Sequence, residues 1–165
     1  MNRKRRVGAL FLMLTMMCTM LFSTVQVSAG VEQAGLTFDG SLLTTDSVVE
    51  DTTSILTRGN ILNKGTAQLS NLGDRKLGIL GSTACHVYCD TVICNMYLEQ
   101  LNEETGVWNS YESWNSSNTN VYQLITCYEH KVEGGYWYRL RGGHIAIKGD
   151  TIESITTMTD GIWVE

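Results

Sequence analysis

The chain contains no proline. Sorting signals built around that residue are therefore missing, including the usual Gram-positive wall anchor. Only one apolar run is long, Ala9 to Phe22. Its roughly 14 residues fall short of the ~20 that cross a bilayer as a helix, and no later segment is comparable, so no membrane span is expected in the mature chain. The serine-hydrolase elbow G-x-S-x-G is absent. So is the phosphate loop, G-x-x-x-x-G-K-[ST], although Gly is abundant. Carboxylates occur in turns, as at Glu103-Glu104, and no spacing pairs them across a cleft as glycoside hydrolysis needs. Catalytic residues, cofactors and metals are accordingly not assigned.

Basic residues are scarce and unevenly placed. Four of the twelve, Arg3, Lys4, Arg5 and Arg6, precede the apolar run, and Val27-Ser28-Ala29 follows it. This is the three-part layout of a secretory signal peptide, residues 1–29, cleaved near Ala29. The extracellular space is the expected location. Cys18 leaves with the signal. The 136 residues that remain carry eight basic and all seventeen acidic side chains, a formal charge of −9. Such a surface repels nucleic acid and anionic membranes at long range and favours solubility.

Residues 30–57 hold five acids and no base, with no clean period of 2 or 3.6. They read as an acidic, partly disordered leader, with Leu42, Leu43, Val48, Val49, Ile55 and Leu56 available to dock. The domain proper is 58–165. There, segments rich in Val, Ile, Thr, Tyr and Trp alternate with Gly, Asn and Asp turns, which predicts about seven strands. They lie at about 65–70, 76–84, 90–101, 107–114, 121–128, 136–148 and 151–159. Gly149-Asp150 reads as a two-residue hairpin turn. Gly142-Gly143 interrupts the sixth strand and reads as a bulge. This spacing predicts an all-β antiparallel β-sandwich, immunoglobulin- or fibronectin-III-like, with Tyr136 placed for the tyrosine corner of that fold.

In the third strand Val92, Cys94, Met96 and Leu98 share one side, and Ile93, Asn95, Tyr97 and Glu99 the other. In the sixth, Tyr136, Tyr138 and Leu140 are expected inside, with Trp137, Arg139 and Arg141 outside. Trp108, Trp137, Arg139 and Arg141 thereby form a candidate ligand face: aromatic surface suits sugar rings, and guanidinium groups suit carboxylates. The plainer reading has the arginines pairing with acids on a neighbouring strand and the tryptophans covering the sheet.

Four cysteines survive processing, Cys85, Cys89, Cys94 and Cys127. An even number in an exported chain predicts disulfides. The strand sides favour Cys94–Cys127 with Cys85–Cys89; the rival pairing is Cys89–Cys127 with Cys85–Cys94. "CHVYCDTVIC" has C-x3-C-x4-C spacing, which does not match the two-residue gaps of structural zinc sites. A cysteine nucleophile needs a histidine beside it, and the spacing brings neither His130 nor His144 to one.

"LTTDSVVEDT", "RGNILNKGTAQLSNLGDRKLGILGST", "VICNMYLEQLNEETGVWNSYESW", "GYWYRLRGGH" and "ESITTMTDGIWV", in that order, resemble a family of small secreted Gram-positive bacterial proteins classed only as a domain of unknown function. The resemblance spans nearly all of residues 42–164. It implies a secreted all-β protein and supplies no catalytic residues. Taken together, the sequence points to a non-enzymatic extracellular module that binds a glycan or a protein. A secreted antimicrobial or toxin-like effector is the alternative reading, and a hydrolase a third.

Overall fold

The computed structural model describes residues 31–55 and 61–165. The signal peptide, with Cys18 and the cleavage point, lies outside the described residues, as does the boundary at 57/58. After a single 3-10 turn at Val31–Gln33, the described chain forms nine strands. These are β1 (Thr37–Phe38), β2 (Ser41–Thr44), β3 (Val48–Ser54), β4 (Leu62–Gly73), β5 (Lys76–Asn102), β6 (Val107–Lys131), β7 (Tyr136–Lys148), β8 (Thr151–Met158) and β9 (Gly161–Val164). No α-helix occurs among the described residues. The protein is all-β.

All nine strands belong to one hydrogen-bonded sheet. It is mixed, because β2 runs parallel to β9 while every other pairing is antiparallel. The sheet curls into a half-barrel, and two very long strands do the curling. The expected second and third strands are one strand, β5, of 27 residues. The expected fourth and fifth are likewise one, β6, of 25 residues. Pairing between them runs from Ala84↔Gln123 to Cys89↔Val121, so four residues of β5 oppose one of β6. An insertion of this kind bends a strand and raises its twist. Asn120, with φ of 52°, turns β6 at the same level; asparagine tolerates that left-handed conformation better than most residues.

The bend folds the β5–β6 hairpin over itself. One half of the sheet is β3, β4, residues 76–84 and residues 123–131; the other is β8, β7, residues 91–102 and residues 107–119. Between them lies a core of Ala67, Leu69, Leu77 and Ile79 from the first half and Cys94, Met96, Leu98, Tyr138 and Leu140 from the second. Trp114 stacks on Tyr128 across the same gap, with ring centroids 5.5 Å apart.

Residues 31–55, read from the sequence as a partly extended leader, contribute three strands. β3 pairs with β4 from Val48↔Ser70 to Ser54↔Lys64, and Leu43 is buried to 1% exposure. The alternation expected for 92–98 is observed: Val92, Cys94, Met96 and Leu98 are all buried. β7 has the expected bounds, and Gly149, with φ of 54°, turns it into β8. Gly142 and Gly143 do not form a bulge, since the register passes through both without a shift. Tyr136 is exposed, and it is the Tyr138 hydroxyl that donates back to the Glu133 carbonyl, at 2.9 Å.

Candidate functional site

The outer face of the half formed by β5, β7 and β8 carries the side chains of chemical interest. Cross-strand register places Glu99 beside Arg139, Tyr97 beside Arg141, Asn95 beside Gly143, and Gly143 beside Thr156. The sequence correctly put Trp137, Arg139 and Arg141 on one face. It did not show that the chain's own N-terminal segment covers most of that face.

Trp137 and Arg139 are fully buried, and Trp108 nearly so. Leu43, Leu101, Trp108 and Trp137 make a small second core, closed by Phe38 and Trp163. Trp108 Nε1 donates to the Phe38 carbonyl at 3.0 Å. Arg139 is enclosed on every side. Its Nε donates to Glu99 Oε2 at 2.7 Å, its Nη1 to the Asp39 carbonyl at 3.0 Å, and its Nη2 to Asp39 Oδ2 at 2.8 Å. The guanidinium carbon sits 4.6 Å from the centroid of the Trp108 ring. The Arg139 guanidinium beside Asp39 holds that carboxyl below its ordinary range. These three residues therefore serve as the seat of residues 37–44 and do not form an exposed platform. Plain alternation along the strand expected at 107–114 puts Trp108 and Trp114 on the same side; the structure puts them on opposite sides. Between Leu98↔Glu112 and Glu99↔Ser110 the register shifts by one residue, at Tyr111. Such a slip reverses the facing of everything beyond it, so Trp108 lies outside and Trp114 packs on the main core.

Arg141 is the member of the expected set that stays open, with its side chain 52% exposed. It borders a trough of about 530 Å³ whose floor is Gly143 and whose sides include Asn95, Tyr97, Ser154 and Thr156. This volume lies within the ~300–1,000 Å³ of small-ligand sites. The two glycines have different work. A Cβ on Gly142 would lie 2.3 Å from Thr157 Oγ1 and 2.6 Å from His144 Nε2, so the core requires glycine there. A Cβ on Gly143 would lie 3.8 Å from Asn95 Cβ and 3.9 Å from Tyr97 Cε2, which is ordinary contact. Packing does not demand glycine at 143; its missing side chain is what opens the trough. Asn95, Tyr97, Ser154 and Thr156 make no side-chain hydrogen bond among the described residues. Sequence reasoning assigned Asn95, Tyr97 and Glu99 to the outer side of the third strand but gave them no role. The Gly-Gly pair was the available signal.

The inner face holds a different polar cluster. His144 is fully buried, with Nδ1 2.9 Å from Thr83 Oγ1 and Nε2 3.0 Å from Thr157 Oγ1. Thr83 Oγ1 spends its one hydrogen on the Ile93 carbonyl at 3.0 Å. Nδ1 therefore carries the proton, and Nε2 accepts from Thr157. Cys94 Sγ lies 3.9 Å from His144 Nδ1, a proximity that the spacing did not reveal. Burial pushes the His144 pKa down to about 4 and the Cys94 thiol up. Both shifts favour the neutral pair, the reverse of the thiolate and imidazolium that a nucleophilic cysteine needs.

The expected disulfides are not formed. Cys94 faces the inner core, while Cys127 is exposed on the outer side of the other half of the sheet, opposite Leu80. A disulfide needs Cβ vectors that point toward each other, and these do not. Cys85 and Cys89 lie together in the apolar cluster at the bend as free thiols. Burial, with the neighbouring Cys89, pushes the Cys85 thiol up to about 12. Among the described residues, no three His, Cys, Asp or Glu side chains converge to hold a metal, and no helix is long and apolar enough to cross a membrane.

Comparison with family models, curated proteins and solved structures finds no match to this chain. The trough and its neighbours are therefore interpreted from their own chemistry.

Proposed function

We propose that this chain is a secreted, non-enzymatic binding module that takes a glycan in the Gly143 trough. One observation carries the reading: an open hollow on a rigid sheet face, floored by a glycine that packing does not require and rimmed by polar side chains without internal partners. Sugar hydroxyls are both donors and acceptors, and they suit a rim of amide, hydroxyl and phenol groups. Every rim residue stands on a strand, so little ordering cost opposes binding. Export by the N-terminal signal belongs to the same proposal, as does membership of the secreted Gram-positive family that the sequence resembles. The immunoglobulin- or fibronectin-like layout belongs to it too, supported by the two facing halves of the sheet and by the bond from the Tyr138 hydroxyl back to the Glu133 carbonyl.

The test compares wild-type protein with Gly143→Val on an immobilised panel of oligosaccharides. Valine fills the trough from its floor and suits a strand backbone. The expected result is at least a tenfold loss of binding to whichever oligosaccharide the wild type retains, with the thermal midpoint changed by only a few degrees. Equal retention of both proteins, or no retention of any oligosaccharide, overturns the proposal.

A further inference from the structure

We infer that the trough selects a glycan bearing a carboxylate, a sugar acid, and that Arg141 is the residue that reads it; the inference rests on the binding site proposed above. Arg141 Nε forms an ion pair with Glu99 Oε1 at 2.8 Å. Glu99 is its ion-pair partner, and the Asp39 carboxylate feels its charge more weakly through space. A guanidinium has five N–H donors in a planar fork, so one edge is anchored and most of its donors are unused.

The anchor is itself rigid. Glu99 is 5% exposed, and its second oxygen is held by Arg139 Nε at 2.7 Å. Arg139 is in turn fixed by Asp39 and Trp108. A carboxylate shared between two guanidinium groups neutralises neither completely. Asp39, its side chain 74% exposed, pairs with the buried Arg139 and acts on Arg141 only through space, while Arg141 turns its own side chain to the open trough. The site thus offers one pre-positioned guanidinium with unused donors at the end of a trough whose other polar groups are neutral. Planar bidentate pairing makes carboxylate the matching anion. The trough's Asn95, Tyr97, Ser154 and Thr156 remain for hydroxyl groups on the same ligand.

A single cation also limits the ligand. The acidic surface of the rest of the protein opposes a polyanion, so one carboxylate per bound unit is the expected content.

The experiment is calorimetric titration with a glucuronate-containing disaccharide and its neutral glucose-containing counterpart, with free acetate as a third arm. Wild-type protein is expected to bind the acidic disaccharide at least tenfold more tightly than the neutral one, and acetate far more weakly than either. Arg141→Gln is expected to abolish the acidic preference. Arg141→Lys, which keeps charge without the fork, is expected to recover only part of it. Equal affinity for the two disaccharides in the wild type, or a preference that survives Arg141→Gln, overturns the carboxylate inference while leaving the glycan reading intact. Acetate binding as tightly as the acidic disaccharide also overturns it, because the site then reads a free carboxylate and no sugar. Failure of both disaccharides to bind overturns the carboxylate inference, and with no retention on the oligosaccharide panel it overturns the glycan reading too.

Discussion

Acidification from pH 7 to pH 4 is expected to remove about 3 kcal/mol of stability through His144 alone. The imidazole is neutral in the fold, satisfied at both nitrogens by Thr83 and Thr157, and closed over by Gly65 and Gly142. Burial lowers its pKa from 6.5 to about 4, and the carboxylate of Asp51 on β3 offsets only part of that shift. Between those two values the unfolded chain binds the proton and the folded chain does not. Stability is therefore complete above the unfolded pKa and is lost as pH falls toward the folded one. At about 1.4 kcal/mol per pKa unit, roughly 2 kcal/mol is gone at pH 5 and about 3 kcal/mol at pH 4. That is a large part of the ~5–15 kcal/mol typical of a domain. Urea unfolding at pH 7, 5 and 4, with wild type and His144→Gln side by side, measures it. Other groups cancel in the difference. Burial raises the Glu103 pKa, which acts in the opposite direction on both proteins, and the lowered Asp39 pKa matters only below about 3.8. The variant is expected to be less stable at pH 7 but to lack most of the slope between pH 6.5 and 4. An identical slope in the two proteins would refute the reasoning.

Gly65→Ala is expected to cost about 2 kcal/mol in chemical denaturation, in the ~1–3 range of overpacked cores, because its Cβ would lie 2.2 Å from the His144 ring; Gly143→Ala, with nothing closer than 3.8 Å, is expected to stay within ~0.5 kcal/mol of wild type. Glu99→Ala leaves Arg139 buried without its best partner and is expected to destabilise by about 3 kcal/mol, read in the same assay. Under native conditions, alkylation followed by intact mass and peptide mapping is expected to label Cys127 first. Cys85, Cys89 and Cys94 should react only on unfolding; prompt labelling of Cys94 would contradict its place in the core.

Much of the fold was legible where local chemistry decides it. The alternation of 92–98 and 136–148, and the glycine at 149, follow from the two-residue period and from turn geometry, and the strands lie there. What stayed hidden is set by contacts distant in sequence. "CHVYC" has the composition of a turn, yet β4 and β6 hold it in β5 as a bend, so four short strands became two long ones. The single-residue slip at Tyr111 reversed Trp108 relative to Trp114, and nothing in "VWNSYESW" marks it. Asp39 and Arg139, 100 residues apart, cover a face whose composition alone reads as open. Cys94 and Cys127 were assigned to suitable strands, but strand alternation fixes only the side of each strand, not which side of the curled sheet faces the core. Of the expected ligand face, Arg141 alone borders the trough, and Gly143 carried the rest of the signal as the second residue of an unexplained Gly-Gly pair.

Amide chemical-shift mapping of the protein titrated with the glucuronate-containing disaccharide tests the binding site most directly. The expected result is saturable shifts at residues 95, 97, 141–143 and 154–156, with none at Cys127 or at the exposed Tyr88 and Tyr122, whose rings meet edge to face at the bend. Shifts confined to those other surfaces, or no saturable shifts at all, would contradict the account.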